Sequence, residues 1–358
     1  MHVILVMPCL NEEAFVASAC ASLGFGNDAS NGPEARLVLV DNGSSDRTPL
    51  VMANIIANSR LGSVVRVVEP ERGYVPARHA GILEAARLAD MNGISRDEIL
   101  ILQVDADTTY DEHYVAAMLG AAIGRANVVF EGVSHIARNF VIDHRRYCEL
   151  CDRIDDAMQP FFGAPEDDVI VSDFASGFWL SDYFAWGGHT REFDSRGDEV
   201  HAETSRLLIR ATRTGAHKFT IPTAFGYPSR RKIVADPLRH FVTAGFPREK
   251  NWQQSWDSNS YGIRDLQSFE DAIGSSRLLC PIALREAHLF ALFAVLPRYL
   301  RQILFGSSQV MLPDPVAKSI AQLPDISRST LGNATAPLFE ALFALVDRQS
   351  LRSSAGWC

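Results

Sequence analysis

Apolar runs of β type alternate with helical patterns through the first 135 residues. The runs are HVILVM (2–7), RLVLV (36–40), SVVRVV (63–68), EILILQV (98–104) and NVVFEGV (127–133). Helical spacing of apolar positions fills 12–23, 46–59, 77–90 and 111–123 between them. Strands that alternate with helices predict an α/β fold, a parallel sheet covered on both faces. Such sheets bind ligands outside the carboxyl ends of their strands, near the point where the strand order reverses.

Farther along, residues 140–170 read as helix and then loop, with an acidic cluster at Asp152, Asp155, Asp156, Glu166, Asp167 and Asp168. SGFWLSDYFAWGGHTREF (176–193) is aromatic and glycine-rich. DEVHAETSRLLIRATRTG (198–215) predicts an amphipathic helix with Val200, Thr204, Leu207, Leu208 and Ala211 as its apolar stripe and Gly215 as its C-cap. KFTIP predicts a short strand. Beyond Tyr227 the chain turns basic in PSRRKIVADPLRHF, then helical to Cys358. The expected division is therefore 1–227 and a mainly helical extension, 228–358, the first part splitting again at 135/136.

Polar and charged groups gather where the strands end. The first strand runs into PCLNEE, the second into DNGSSDRT, the third into EPERGYVPAR and the fourth into DADTT. Four such loops at one sheet edge predict a pocket. Asp105 and Asp107 follow the fourth, buried strand directly. If the chain stays extended, alternation turns both carboxylates to one side, where they can hold a hard cation such as Mg²⁺ or Mn²⁺ together with phosphate and water. A solvated acidic loop is the competing reading. Thr109 and Glu112 have capping-box spacing and predict a helix opening there. The first loop, MPCLNEE, contains no glycine, so the G-x-G-x-x-G dinucleotide turn is excluded, and no P-loop motif occurs. A nucleotide would have to bind through a metal and arginines.

The 358 residues allow one large domain or two, and 47% apolar content supports a packed core. A net charge of −9 argues against a nucleic-acid partner. Six cysteines do not suggest a disulfide scaffold. Cys148 and Cys151 have C-x-x-C spacing, but a zinc site wants a second pair, and two buried thiols on a helix is the simpler expectation. MHVILVMP is too short for a signal peptide and lacks a basic start. LFALFAVLPRYL (289–300) is interrupted by Pro297 and Arg298, short of the roughly 20 apolar residues that cross a bilayer. The expectation is a cytoplasmic protein, with peripheral membrane contact left open through the C-terminal part.

In this order, MPCLNEE, LVDNGSSDRT, ERGYVPARHAGI, QVDADT, SGFWLSDYFAWGGHTREF and HAETSRLLIRATRTG resemble the motifs of family 2 glycosyltransferases of the GT-A fold. They cover about residues 1–225. The resemblance implies a Rossmann-like, mostly parallel sheet sandwiched by helices, with 1–135 as the nucleotide-binding half and 136–227 on the acceptor side. It implies a nucleotide-diphosphate-sugar donor, of UDP or GDP type, and Mn²⁺ or Mg²⁺. Pro8, Asn11 and Glu12 would line the nucleoside pocket. Asp41 would touch the base or ribose, with Gly43 and Ser44 shaping the turn. Arg78 would lie near the nucleotide, Asp105 toward the ribose and metal, and Asp107 on the metal. Turn and cap chemistry also accounts for Asn11, Gly43 and Ser44.

The family commonly has Glu-Asp at the start of the later helix, where this chain has Glu203-Thr204, and Asn where it has His79. Glu203 is thus the matching acid for a catalytic base, with Asp198 and Glu199 one turn upstream. The plainer readings are an i,i+3 pair of Glu203 with Arg206 and a helix N-cap at Asp198. The implied reaction is single displacement with inversion onto an acceptor hydroxyl, which glycan, lipid-linked or small-molecule acceptors could all supply. SRRK (229–232) is either a phosphate contact or a surface turn. Trp179, Tyr183, Phe184 and Trp186 are either an acceptor platform or core. A non-catalytic nucleotide- or glycan-binding member and a nucleotidyltransferase remain the rival classes.

Overall fold

The structure, a computed structural model, describes residues 1–26, 35–306 and 312–357, with side chains as far as residue 348. The expected helical run to Cys358 therefore lies partly outside the described residues. In chain order the first part reads β1 (His2–Cys9), α1 (Val16–Ser22), β2 (Ala35–Asp41), α2 (Thr48–Ala57), β3 (Val64–Val68), α3 (Tyr74–Met91), β4 (Ile99–Val104), β5 (Thr108–Tyr110), α4 (Tyr114–Ala122) and β6 (Val128–Ser134). Next come α5 (Arg138–Asp143), α6 (Arg145–Met158), β7 (Ala175–Trp179), α7 (Leu180–Ala185), α8 (Glu203–Ala211) and β8 (His217–Pro228). The remainder is helical: α9 (Arg231–Ala235), α10 (Pro237–Val242), α11 (Lys250–Ser255), α12 (Leu266–Ala272), α13 (Leu279–Leu289), α14 (Leu296–Phe305), α15 (Asp314–Ile320), α16 (Arg328–Asn333) and α17 (Ala336–Trp357).

The chain forms two compact units. The first holds residues 1–136, 171–191 and 203–229; the second holds 137–170, 192–202 and 230–358. In the first unit one sheet has the order β3-β2-β1-β4-β7-β6-β8-β5. The β3-β2-β1-β4 half is parallel throughout. β7 runs antiparallel to both β4 and β6, β6 is parallel to β8, and β5 is antiparallel to β8. The expected α/β class with a mostly parallel sheet between helices is what is found. Its order reverses between β1 and β4, so the crevice at a switch point lies at their carboxyl ends. Leu5, Leu37, Leu39, Leu100 and Leu102 fill the core on one side with Val16, Met52 and Tyr114. On the other side α3 lies directly on the sheet. A Cβ at Gly81 would come 2.3 Å from Val6 Cγ1 and 2.9 Å from Val40 Cγ2, so only glycine allows that approach.

Several local expectations change. Thr109 and Glu112 form no capping box: Thr108–Tyr110 is a strand, and α4 starts at Tyr114 after His113. Backbone pairing with β8 takes Thr108–Tyr110 into the sheet, which leaves Glu112 in the turn before α4. The KFTIP strand is part of a longer β8 that also takes in Ala224–Pro228. The expected helix at 198–215 begins only at Glu203; its apolar and polar residues segregate to two faces as expected, but every residue from Glu203 to Ala211 is buried, so the polar face is enclosed as well. Gly215 does adopt the left-handed conformation of a C-cap, φ 83°.

The second unit packs Tyr147, Leu150 and Ile154 of α6 against Leu238, Phe241, Phe269 and Leu284. The acidic cluster is partly consumed here, Asp155 by Arg285 and Asp167 by Arg301. Cys148 and Cys151 share α6, and burial raises both thiols, Cys151 to about 12, which makes them poor redox or metal groups. Pro297 does not end the helix. Ser276–Phe305 is helical throughout and contains an 18-residue window of mean hydropathy 1.7, long and apolar enough to cross a membrane by length and composition, with 67% of that window buried inside the protein. A π turn at Phe290–Val295 precedes the proline. The carbonyl of Phe293, which Pro297 cannot serve, accepts from Gly163 N–H at 2.8 Å, and Arg298 donates to the Ala294 carbonyl at 2.9 Å. Each backbone group freed by the proline therefore has a partner.

Candidate active site

The loops after β1 and β2 clasp one another. Asn11 stands at φ 58°, a left-handed conformation that asparagine tolerates. Its Oδ1 accepts from Ser45 N–H at 2.8 Å, and its own N–H donates to Ser44 Oγ at 3.2 Å. Glu12 N–H donates to Thr48 Oγ1 at 2.7 Å. Asp41, at the end of β2, accepts from Ser44 N–H at 3.0 Å and pairs with Arg66 at 2.6 Å. Gly43 turns at φ 76°, and Pro8 sits half-buried in β1. The structural reading of Asn11, Gly43 and Ser44 is thus satisfied in full. It also produces a rigid rim at the carboxyl edge of β1 and β2.

Arg78 organises the far side of that edge. The guanidinium, 4% exposed, donates through Nε to Glu203 Oε1 at 2.8 Å and through Nη2 to Asp105 Oδ1 at 2.8 Å. Its Nη1 is buried without a hydrogen-bond partner. Burial alone would lower its pKa, but the charges of Asp105, Asp173 and Glu203 outweigh it and hold the proton more tightly than usual. Glu203 pairs with Arg78 and not with Arg206, whose Nη1 donates to the Thr190 carbonyl at 3.0 Å.

Asp173 is the residue that sequence reasoning missed. Its Oδ1 accepts from Thr204 N–H at 3.3 Å. Burial, followed by the charge of Glu203, pushes its carboxyl up to about 7, with Arg78 pulling the other way. Tyr110 fixes the spacing: its hydroxyl accepts from Asp105 N–H at 2.8 Å and donates to the Phe174 carbonyl at 2.8 Å. The available signal was an acid just before an apolar strand, VSDFASGF. Because β7 is antiparallel to β4, with Val104 opposite Ala175, the start of β7 shares an edge with the end of β4.

Thr204 joins a buried neutral network. Gln103 Nε2 donates to Thr204 Oγ1 at 2.9 Å and to Ser176 Oγ at 2.8 Å. His189 Nε2 lies 3.5 Å from the same threonine oxygen. Burial, then the neighbouring Arg78 and Arg210, hold His189 well below the usual histidine range, so it is neutral. His79 Nδ1 is 2.7 Å from the Tyr183 hydroxyl. Three of the four aromatics are core: Trp179, Tyr183 and Trp186 are buried, and Tyr183 stacks on Phe178, whereas Phe184 is half-buried under the Arg96 guanidinium. Asp198 belongs to the second unit and is no helix cap; its carboxylate accepts from Asn251 N–H at 2.8 Å.

Asp105 and Asp107 do not lie on extended chain. Thr108 N–H turns back to the Asp105 carbonyl at 3.3 Å, and Ser229 N–H holds the Asp107 carbonyl at 2.8 Å. Among the described residues no group of three or more His, Cys, Asp or Glu side chains gathers around one point. A metal carried wholly by protein ligands is therefore a poor fit. A hard cation held by one or two carboxylates, and otherwise by phosphate oxygens and water, fits this oxygen-only pair.

The sequence profile described as "Glycosyl transferase family 2" matches residues 4–218, well over half of the chain. The chain belongs to glycosyl transferase family 2. It is 41% identical over 83 residues to uncharacterized glycosyltransferases of Mycobacterium tuberculosis and Mycobacterium bovis, a stretch covering 23% of this chain and 31% of each relative. The chain thus spans about a third of the length of the curated relatives it matches. Among solved structures, the mannosyltransferase PcManGT from Pyrobaculum calidifontis with GDP-Man and Mn²⁺ is similar at 14% identity, 98% of this chain and 86% of that one, TM-score 0.45. TarS of S. aureus with UDP is similar at 13% identity, 84% and 87% coverage, TM-score 0.41. Glucosyl-3-phosphoglycerate synthase of Mycobacterium tuberculosis, with Mn²⁺ and UDP, stands at 15% identity, 62% and 71% coverage, TM-score 0.37. The residues that this glycosyltransferase brings together at its sheet edge, Arg78, Asp105, Asp173 and Glu203, all lie inside the matched span.

Proposed function

We propose that this family 2 glycosyltransferase moves a sugar from a nucleotide-diphosphate-sugar to an acceptor hydroxyl by single displacement with inversion. The observation that carries the reading is Arg78, a buried guanidinium at the switch-point edge with Nη1 unpartnered among three acids. A cation buried in this way is positioned to meet an anion, and a leaving diphosphate is one. The clasped loops with Pro8, Asn11, Glu12, Asp41, Gly43 and Ser44 form the nucleoside side, and Asp105 orients Arg78 while facing the ribose. Asp107 and Asp105 would hold Mn²⁺ or Mg²⁺, which supplies positive charge against the diphosphate when bound.

The chain's own contribution is electrostatic and geometric. Arg78 keeps its proton and offers a fixed donor where negative charge grows, so no reorganisation is needed during reaction. A carboxylate of the cluster around Arg78 accepts the proton of the acceptor hydroxyl, help worth about 10²–10⁴ in rate. A UDP or GDP donor is the expected class.

The test is thermal melting with UDP, GDP, CDP and dTDP, each with and without Mn²⁺, beside an Asp107→Ala variant. Ligand at about a hundred times its dissociation constant adds roughly 2.7 kcal/mol, several degrees for a chain of this size. One nucleotide raising the midpoint only with metal and only with Asp107 intact supports the donor site. No shift from any of the four at saturating metal discards it and leaves the non-catalytic reading.

A further inference from the structure

We propose that Asp173, in the loop that leads into β7, is the general base, and that Glu203 is the fixed counter-charge of Arg78. The inference rests on the sugar-transfer reading above and names the group that reading leaves open. Three observations converge on it. Glu203 is only 4% exposed and its Oε1 is held by Arg78 Nε, so its charge is already committed. A base must offer a lone pair to an incoming hydroxyl, and a carboxylate held on a buried guanidinium keeps only its other oxygen for that and cannot turn without uncovering the cation.

Thr204, the next residue of α8, has no basic group. Its hydroxyl is taken up by Gln103 within a neutral buried network. Asp173 supplies the acid that α8 lacks at that position. Its Oδ1 accepts from the Thr204 N–H at 3.3 Å, which places the carboxylate at the start of α8 beside that threonine. The Tyr110 hydroxyl, bound to both Asp105 N–H and the Phe174 carbonyl, ties the backbone next to Asp173 to that of Asp105.

The step balances without a further reactant. The acceptor O–H proton passes to the Asp173 carboxylate as the acceptor oxygen bonds to the anomeric carbon. The bond from that carbon to the diphosphate oxygen breaks, and its electron pair leaves with the diphosphate. Asp173 then returns its proton to solvent.

The experiment uses the full chain with UDP-glucose and GDP-mannose plus Mn²⁺, water serving as acceptor, and reads nucleotide release. Wild type, Asp173→Asn, Asp173→Ala and Glu203→Gln are compared, and each is also melted with UDP and GDP. The expected result is a loss of about 10²–10⁴ in release for both Asp173 variants, with the nucleotide-induced shift retained. Added formate restores release in Asp173→Ala by acting as an external base, and does not restore Glu203→Gln. The near-isosteric Asp173→Asn, which still accepts from Thr204 N–H, covers the case in which the alanine variant fails to fold. Asp173 variants releasing nucleotide within tenfold of wild type overturn the proposal. So does a wild type that binds donor yet releases no nucleotide, since a base beside the anomeric carbon activates water. A wild type that shifts with no nucleotide is a different failure: it removes the donor reading itself.

Discussion

Arg78 Nε and Glu203 Oε1 lie 2.8 Å apart although 125 positions separate them in the chain. The contact joins α3 to α8, and both groups are almost wholly out of solvent. A pair of this kind is expensive to break on one side only. Arg78→Ala leaves Glu203 buried and uncompensated and is expected to destabilise by about 3–5 kcal/mol. Arg78→Ala with Glu203→Gln recovers part of that loss. Urea melts of the wild type, both single variants and the double variant measure the coupling, expected at roughly 0.5–3 kcal/mol. Strictly additive losses show that the two groups do not interact.

Gly81→Ala sets a helix preference against a contact. In an exposed helix the change gains about 1 kcal/mol. Here the new Cβ meets Val6 Cγ1 at 2.3 Å and Val40 Cγ2 at 2.9 Å. Overpacking of this kind costs about 1–3 kcal/mol, so the variant melts lower. Because Arg78 lies one turn away on the same helix, nucleotide affinity falls as well. An alanine variant at least as stable as wild type shows that α3 can lift from the sheet.

Tyr110→Phe removes only a hydroxyl, yet leaves Asp105 N–H and the Phe174 carbonyl without the group that bridges them. The expected loss is about 1–3 kcal/mol. The two acid-bearing loops also lose their common tie, so turnover falls more than stability explains. Melting and nucleotide release measured on one preparation separate these effects. Unchanged release alongside a lowered midpoint confines Tyr110 to stability.

The carboxyl of Asp173 gives a signed dependence on pH. Its folded value is raised from 3.8 to about 7, chiefly by burial and then by Glu203. The folded chain therefore keeps a proton that the unfolded chain releases earlier. Its stabilising contribution is complete below the unfolded value and is lost as pH rises toward about 7. Between pH 5 and pH 8 the wild-type midpoint is expected to fall relative to that of Asp173→Asn. Parallel midpoints across that range remove the raised carboxyl.

Period and strand-end chemistry made the parallel half legible. Apolar runs named β1 to β4 and β6, and the acids after them named the rim. Antiparallel chain was harder to read. Asp173 precedes its strand, and only the pairing of Val104 with Ala175 reveals that this start lies at the same edge as Asp105. Thr109 and Glu112 mimicked a helix start because capping residues are polar residues that also suit a turn, and pairing between β5 and β8 is a long-range fact. The partner of Glu203 was misjudged for a related reason. Helical spacing offers Arg206 as a neighbour, whereas a helix enclosed on every side takes its partners from other elements. Pro297 does not end its helix because the donor that serves the Phe293 carbonyl is Gly163 N–H, far upstream.

The interleaving of the two units has a bearing on synthesis. Segments 137–170 and 192–202 of the second unit are inserted between pieces of the first, and their partners arrive last. Tyr147, Leu150 and Ile154 wait for Leu238, Phe241 and Phe269, and Glu192 waits for the N–H of Ala336, which it accepts at 2.8 Å. A chain cut after residue 229 keeps Arg78, Asp105, Asp173 and Glu203 but leaves the apolar face of 137–170 bare and Glu192 without its partners. On the ribosome the four charged residues are all present before the second unit can close. The charged cluster at the sheet edge is thus made well before the parts that complete the fold.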